Sequence, residues 1–245
     1  MGSLKVFISY NHKDYDLASN LHKELEFFGI EIFLAHKTIE PSKEWQEEIE
    51  KNLKECDVFM PLLTDNFRDS RWTDQEVGIA YAYGKKFIPL IYHIVPYGFM
   101  GKWQGHRIEF TGFKRIEGIP MIIDLLVKFF PEKLRQSAID SISFKNIHNY
   151  EKSNRMFSLL KKLEPFSNDQ VIALMQKSVD NDQIIDGTEA NPLLKQLLED
   201  YKEKLDPSLM IKIKKRLEQG YRKVALSEEI EKEGHLSKGL EDGLL

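Results

Sequence analysis

The run DVFMPLLT at residues 57–64 constrains the fold more than any other stretch. Its hydrophobicity is continuous, as in a strand buried on both faces of a sheet that is covered on two sides. Short β-branched and aromatic runs recur around it: KVFIS (5–9), IEIFLA (30–35) and KFIPLIY (86–92), with RIEFTGF (107–113) as a fifth. Helical patterns separate them. DYDLASNLHKELEFFG (14–29) spaces Leu17, Leu21, Leu25 and Phe28 along one face until Gly29 stops it. SKEWQEEIEKNLKEC (42–56) aligns Trp45, Ile49, Leu53 and Cys56, with Ser42 placed to cap. DSRWTDQEVGIAYAYGKK (69–86) supplies a third helix, and GIPMIIDLLVKFF (118–130) a closing one. This alternation predicts an α/β fold with a mainly parallel five-stranded sheet and right-handed crossovers. Ligands bind such sheets beyond the carboxyl ends of the strands. That edge would gather SYNHKD (9–14), LAHKTIEPSKEW (34–45) and LTDNFRDSRW (63–72).

Beyond Pro131 the character changes, and residues 153–220 show helical patterns without strand alternation. SNRMFSLLKKLEPF carries Met156, Leu159, Leu160 and Leu163, and SNDQVIALMQKSV opens on Ser167 or Asn168 as its cap. NPLLKQLLEDYKEKL and DPSLMIKIKKRLEQG each set a capping residue before proline, a favoured helix start. The expected organisation is an α/β domain over 1–133, a linker over 134–150 and a smaller all-α domain over 151–245 that regulates or oligomerises. The charge-rich tail from Val224 is expected to be frayed or partner-dependent.

The formal charge of −4 gives no reason to expect nucleic-acid binding, and the basic run KIKKRLEQGYRK (212–223) alternates with apolar and acidic residues, as on a solvated helix face. A single cysteine, Cys56, excludes an internal disulfide and fits a reducing compartment. No apolar run reaches membrane-spanning length, and the N-terminus lacks a signal-peptide pattern, so a cytoplasmic location is expected. No metal site is expected, because the histidines share no ligand spacing. Cys56 reads as structural. Asp57 sits at the amino end of its strand, away from the ligand edge, and so is not read as a phosphoacceptor.

The chemistry-bearing candidate is Glu76, four residues after Trp72. Thr73-x-x-Glu76 is also a capping-box pattern, in which the acid would do no more than tidy a helix start. The wider set of motifs decides between the two. KVFISYNHKD, the segment LAHKTIEPSKEW, the S-x-W-x-x-x-E motif at Ser70, Trp72 and Glu76, the small-residue helix after it and the I-P strand occur in an order that resembles bacterial TIR domains over about residues 4–133. The segment IVPYGFMGKWQG (94–105) is similar to TIR proteins of Thoeris antiphage systems.

The resemblance implies a flavodoxin-like fold and cleavage of NAD+, as substrate rather than cofactor, at the nicotinamide–ribose bond. The product would be ADP-ribose or a cyclic ADP-ribose isomer that an effector protein reads in antiphage signalling. Glu76 matches the family's catalytic glutamate. Ser9, Tyr10, Asn11, His36, Trp45 and Trp72 would line the substrate pocket, with residues 36–45 as the covering loop that also joins neighbouring subunits. For Trp45 the stripe with Ile49 and Leu53 favours core packing instead. The family's cation after the first strand is replaced here by SYNHKD, leaving His12 or Lys13 to meet the phosphates. The alternative is a non-catalytic module that assembles with other TIR domains.

Overall fold

A computed structural model describes residues 2–35, 43–111 and 115–219, with residues 43–45 and 115 through their backbone only. The chain divides into two compact units, Met1–Ser141 and Ile142–Leu245. Among the described residues, no helix is long and apolar enough to cross a membrane.

In the first unit, β1 (Lys5–Ser9) leads through a 3-10 turn (His12–Asp14) into α1 (Tyr15–Glu26), then β2 (Glu31–Leu34), α2 (Lys43–Glu55) and β3 (Val58–Leu63). A short α3 (Asp65–Arg68) precedes α4 (Arg71–Ala82). Then follow β4 (Lys86–Phe87), β5 (Leu90–Ile91), a 3-10 segment (Gly98–Lys102), β6 (His106–Arg107), β7 (Glu109–Thr111) and β8 (Arg115–Glu117). Helices α5 (Ile119–Phe129) and α6 (Pro131–Ser141) end the unit.

The main sheet is parallel, ordered β2-β1-β3-β5-β6, with β4 also pairing with β3. β4 and β5 occupy one strand position: Val58 faces Lys86 and Leu62 faces Leu90, a single register. The break falls at Ile88 and Pro89, level with Pro61 of β3, where two prolines lack the N–H groups a ladder needs. The sheet therefore has the five strand positions expected. All six residues of β3 are buried, which the continuous hydrophobic run required.

The fifth strand is a correction. Residues 107–111 do not form one strand, and 112–113 of the expected run lie outside the described residues: His106 and Arg107 join the main sheet, while Glu109–Thr111 turns away to pair antiparallel with Arg115–Glu117. Alternation of exposed Arg107, Glu109 and Thr111 with more buried Ile108 and Phe110 suits a two-stranded ribbon with one wet face.

Side-chain alternation sets the faces of β1 and β3. Phe7, Phe59 and Leu63 point to one side, where they pack with Ile49 and Leu53 of α2 and with Val77 and Ala80 of α4. Phe59 lies 4.9 Å from Phe87 between ring centroids, and Trp103 stacks on Phe87 at 4.2 Å and 11°. A cleft of about 140 Å³ at the amino ends of β1 and β2 is lined by Lys5, Glu31, Phe33, Asn52 and Cys56.

Where a linker was expected from residue 134, α6 runs to Ser141 with Leu134, Ala138 and Ile139 buried. It packs against α1's end and β1: the Ser137 hydroxyl accepts the Leu4 N–H at 2.9 Å. The second unit contains α7 (Tyr150–Lys162), α8 (Asn168–Ser178), α9 (Asp182–Ile185), α10 (Ala190–Asp200) and α11 (residues 207–219). Met156, Leu159, Leu160 and Leu163 are all buried, as their spacing predicted. Ser167 caps α8 in a complete capping box with Gln170, and Asp206 accepts the N–H groups of Ser208 and Leu209 at the start of α11. The cap expected at Asn191 is different: α10 already starts at Ala190, and the Asn191 amide donates to the Ile185 carbonyl. In the basic run, Lys212 pairs with Asp180 and Arg216 with Asp182.

Candidate functional site

Helix α4 carries the site. Ser70 is its N-cap, and the Thr73 hydroxyl donates back to the carbonyls of Phe67 and Ser70, 2.8 Å from each. With the cap at Ser70, Glu76 lies in the second turn. The capping-box explanation of Thr73 and Glu76 therefore fails, because the helix has begun before either residue. Instead Thr73, Glu76, Val77 and Ala80 form the buried face of α4, at the spacing that turns side chains toward the sheet.

A carboxyl on that face is unusual. Glu76 is 1% exposed. Its Oε2 accepts the Ser9 hydroxyl at 2.5 Å, across 67 residues of chain. Ser9 is the last residue of β1 and lies two residues beyond Phe7, on the same face of the sheet. The apolar surface of β1 thus ends in a hydroxyl just where α4 presents an acid. Burial pushes the Glu76 pKa up to about 8, with the Ser9 hydrogen bond pulling weakly the other way.

This has a consequence for stability. The folded pKa stands above the ordinary value of 4.5, so the folded chain holds a proton that the unfolded chain releases between pH 4.5 and 8. The contribution is complete below the lower value and is lost as pH rises through the upper one. Comparing the chain with Glu76→Gln by urea unfolding at pH 5 and pH 8.5 should show the variant gaining relative stability on the order of a few kcal/mol. A pH-independent difference would contradict the buried acid.

The loops after β1 and β3 are clasped together beside this pair. The Asn11 amide donates to the Asn66 carbonyl at 2.7 Å. Buried Asp14 accepts from the Thr64 hydroxyl at 2.6 Å and from the Asn66 amide at 2.8 Å. Thr64 also caps α3 by accepting the Phe67 N–H at 3.1 Å. Asp14, Thr64 and Asn66 escaped sequence reasoning, although Thr64 before Asp65-Asn66-Phe67 has the form of a helix cap. Thr64→Val keeps the shape and removes both roles of the hydroxyl, so a loss of about 1–2 kcal/mol is expected, read from the denaturant midpoint.

The sequence-predicted residues divide as follows. Glu76, Ser9 and Asn11 converge at the carboxyl ends of β1 and β3. Tyr10 is wholly buried, its ring 6.5 Å from that of Tyr15. Trp72, one turn before Glu76, is half-buried and packs against the apolar cluster under α2 and α4. His12 and Lys13 are exposed. His36 and the side chain of Trp45 lie outside the described residues.

Residues rejected for chemistry are accounted for. Asp57 accepts the Lys5 N–H at 3.0 Å and pairs with Lys133 at the opposite edge of the sheet. Cys56 is buried, and burial pushes its thiol up to about 11, too high for a reactive thiolate.

A parallel, doubly covered sheet with a buried acid at the carboxyl ends of its central strands defines an α/β domain of the doubly wound class, in which ligands generally bind beyond those strand ends. The family model described as TIR domain matches residues 6–118. Residues 6–118 are thus similar to TIR domains, and a helical C-terminal region follows them. No curated protein matches it.

Proposed function

We propose that the protein is an NAD+ nucleosidase with Glu76 as its catalytic residue. The observation that carries this reading is the placement of Glu76: a carboxyl with no capping role, buried on the sheet-facing side of α4 and bonded to the end of β1. It is supported by the TIR family, which includes NAD+ hydrolases.

The chemistry asks for one carboxylate rather than the pair that ordinary glycosidases use. Nicotinamide is already cationic in NAD+ and leaves neutral, taking the electron pair of the C1′–N bond, so its departure needs no general acid. What requires help is the positive charge that builds on the ribose. A carboxylate bonded to the ribose hydroxyls holds the sugar and places negative charge where the transition state needs it. The pyridinium charge of the substrate also favours loss of the Glu76 proton, because an opposite charge nearby stabilises the ionised form. Water then adds at C1′ and loses a proton, giving ADP-ribose. Capture by an oxygen or nitrogen of the same molecule gives a cyclic isomer instead.

We place this activity in antiphage signalling, on the similarity of residues 94–105, with an effector reading a cyclic product. Incubating the full chain with NAD+ over a range of protein concentrations, with mass spectrometry of the products, tests the activity and separates linear from cyclic product. No nicotinamide at any concentration would end the proposal.

A second reading, a TIR module that assembles without chemistry, draws on one observation. Tyr81, Val95 and Phe99 are exposed, and Tyr81 stacks on Phe99 at 4.8 Å. Self-association without NAD+ turnover would favour it. In either reading we assign the helical region a regulatory or oligomerising role.

A further inference from the structure

We propose that Ser9 is a positioning residue: its hydroxyl, delivered by the last residue of β1, fixes the orientation from which the Glu76 carboxyl meets the ribose. This rests on the nucleosidase reading of Glu76, and it assigns Ser9 a role other than touching the substrate.

Three observations lead here. Ser9 is fully buried and Glu76 nearly so, and their side chains are 2.5 Å apart. The register of β1 against β3, with Ser9 level with Pro61, fixes the serine backbone inside the sheet, so its Cβ stays directed to the face that α4 covers. A serine hydroxyl has one proton to give. While it is donated to Glu76 Oε2, it is not available to a sugar or phosphate.

The environment sharpens the point. The surrounding face is apolar, built from Phe7, Phe59, Leu63 and Val77. The Ser9 bond holds the Glu76 side chain in one orientation on this face. Among the described side chains, the charged groups on elements packed against α4 are Glu47, Glu48, Glu50, Lys51, Lys54 and Glu55 of α2, Asp65 and Arg68 of α3, and Lys102, and all are exposed. Ser9 is thus a buried polar contact that ties Glu76 to the sheet.

The test uses the full chain in three forms: unsubstituted, Ser9→Ala, and Ser9→Ala combined with Glu76→Gln. Ser9→Ala should raise the Glu76 pKa by about one unit, followed by NMR of ¹³C-labelled glutamate carboxyls, since a hydrogen bond to the charged form is lost. It should lower kcat by about tenfold, the same free energy seen in rate, while KM stays within about twofold. In the Glu76→Gln background, Ser9→Ala should leave NAD+ affinity unchanged in calorimetry.

An unmoved Glu76 titration would overturn the proposal. So would a tenfold loss of NAD+ affinity in the Glu76→Gln background, which would make Ser9 a substrate contact. Should Ser9→Ala not fold, the unsubstituted chain decides alone. A slowly exchanging Ser9 hydroxyl proton that cross-relaxes to Glu76 supports the bond, and a freely exchanging one overturns it. Absence of NAD+ cleavage in every form would overturn the nucleosidase reading, whereas the titration would still report whether Ser9 holds Glu76.

Discussion

Glu76→Gln should abolish nicotinamide release, lowering kcat by at least about 10²–10³-fold, the loss typical when a preorganised electrostatic group is removed from a transition state. The variant is unusually clean at this position. The acid is protonated at neutral pH in the fold described, because burial raises its pKa to about 8. An amide of the same shape can accept the Ser9 hydroxyl through its oxygen and releases no proton on unfolding, so at pH 7 the fold should melt no lower than the parent and gain stability over it. Substrate binding should weaken far less than the rate, because the amide oxygen can still accept a ribose hydroxyl while most of the positive charge develops only as the C1′–N bond breaks. The expected pattern is therefore a collapse of kcat with KM within a few-fold and a melting temperature no lower than the parent's. A folded Glu76→Gln chain that still cleaves NAD+ at a rate comparable to the parent would remove Glu76 from the mechanism.

How much of this was legible beforehand depends on how local each signal is. The hydrophobic run at 58–63 forms a strand buried on both faces because such a sequence has no wet side to offer. The stripes of α1 and α2 follow from spacing that any helix would have to bury, and Leu21, Leu25, Ile49 and Leu53 are buried accordingly. Glu76 was harder. Its local pattern fits a cap equally well, and only the observed cap at Ser70 removes that reading. Its partner Ser9 is distant in sequence, and no local rule pairs the two. The same reason hides the clasp of Asn11, Asp14, Thr64 and Asn66, which is made of ordinary turn residues that gain meaning from the other loop. The fifth strand failed for a different cause. Its alternation is real, but alternation also suits a ribbon, and the sheet accepts just His106 and Arg107.

Gly29 combines both kinds of signal, and Gly29→Ala should be the most damaging small substitution in the first unit. The sequence marks Gly29 as a helix stop, and the structure places it just past α1 with φ at +75°, a conformation that costs any other residue about 1–2 kcal/mol. That much is local. The rest comes from α6, which passes so close that a Cβ on residue 29 would lie 2.0 Å from the Ser137 carbonyl oxygen and 2.7 Å from its carbon. Neither atom can yield, since both are helix backbone and the Ser137 hydroxyl also accepts the Leu4 N–H. The added methyl must push α6 off its seat, exposing Leu134, Ala138 and Ile139. Strain and lost burial together should cost about 3 kcal/mol or more, lowering the melting temperature by on the order of 10 °C. A far smaller loss would mean that α6 does not pack on Gly29 in solution, and that the first unit ends before residue 134, where its sequence pattern weakens.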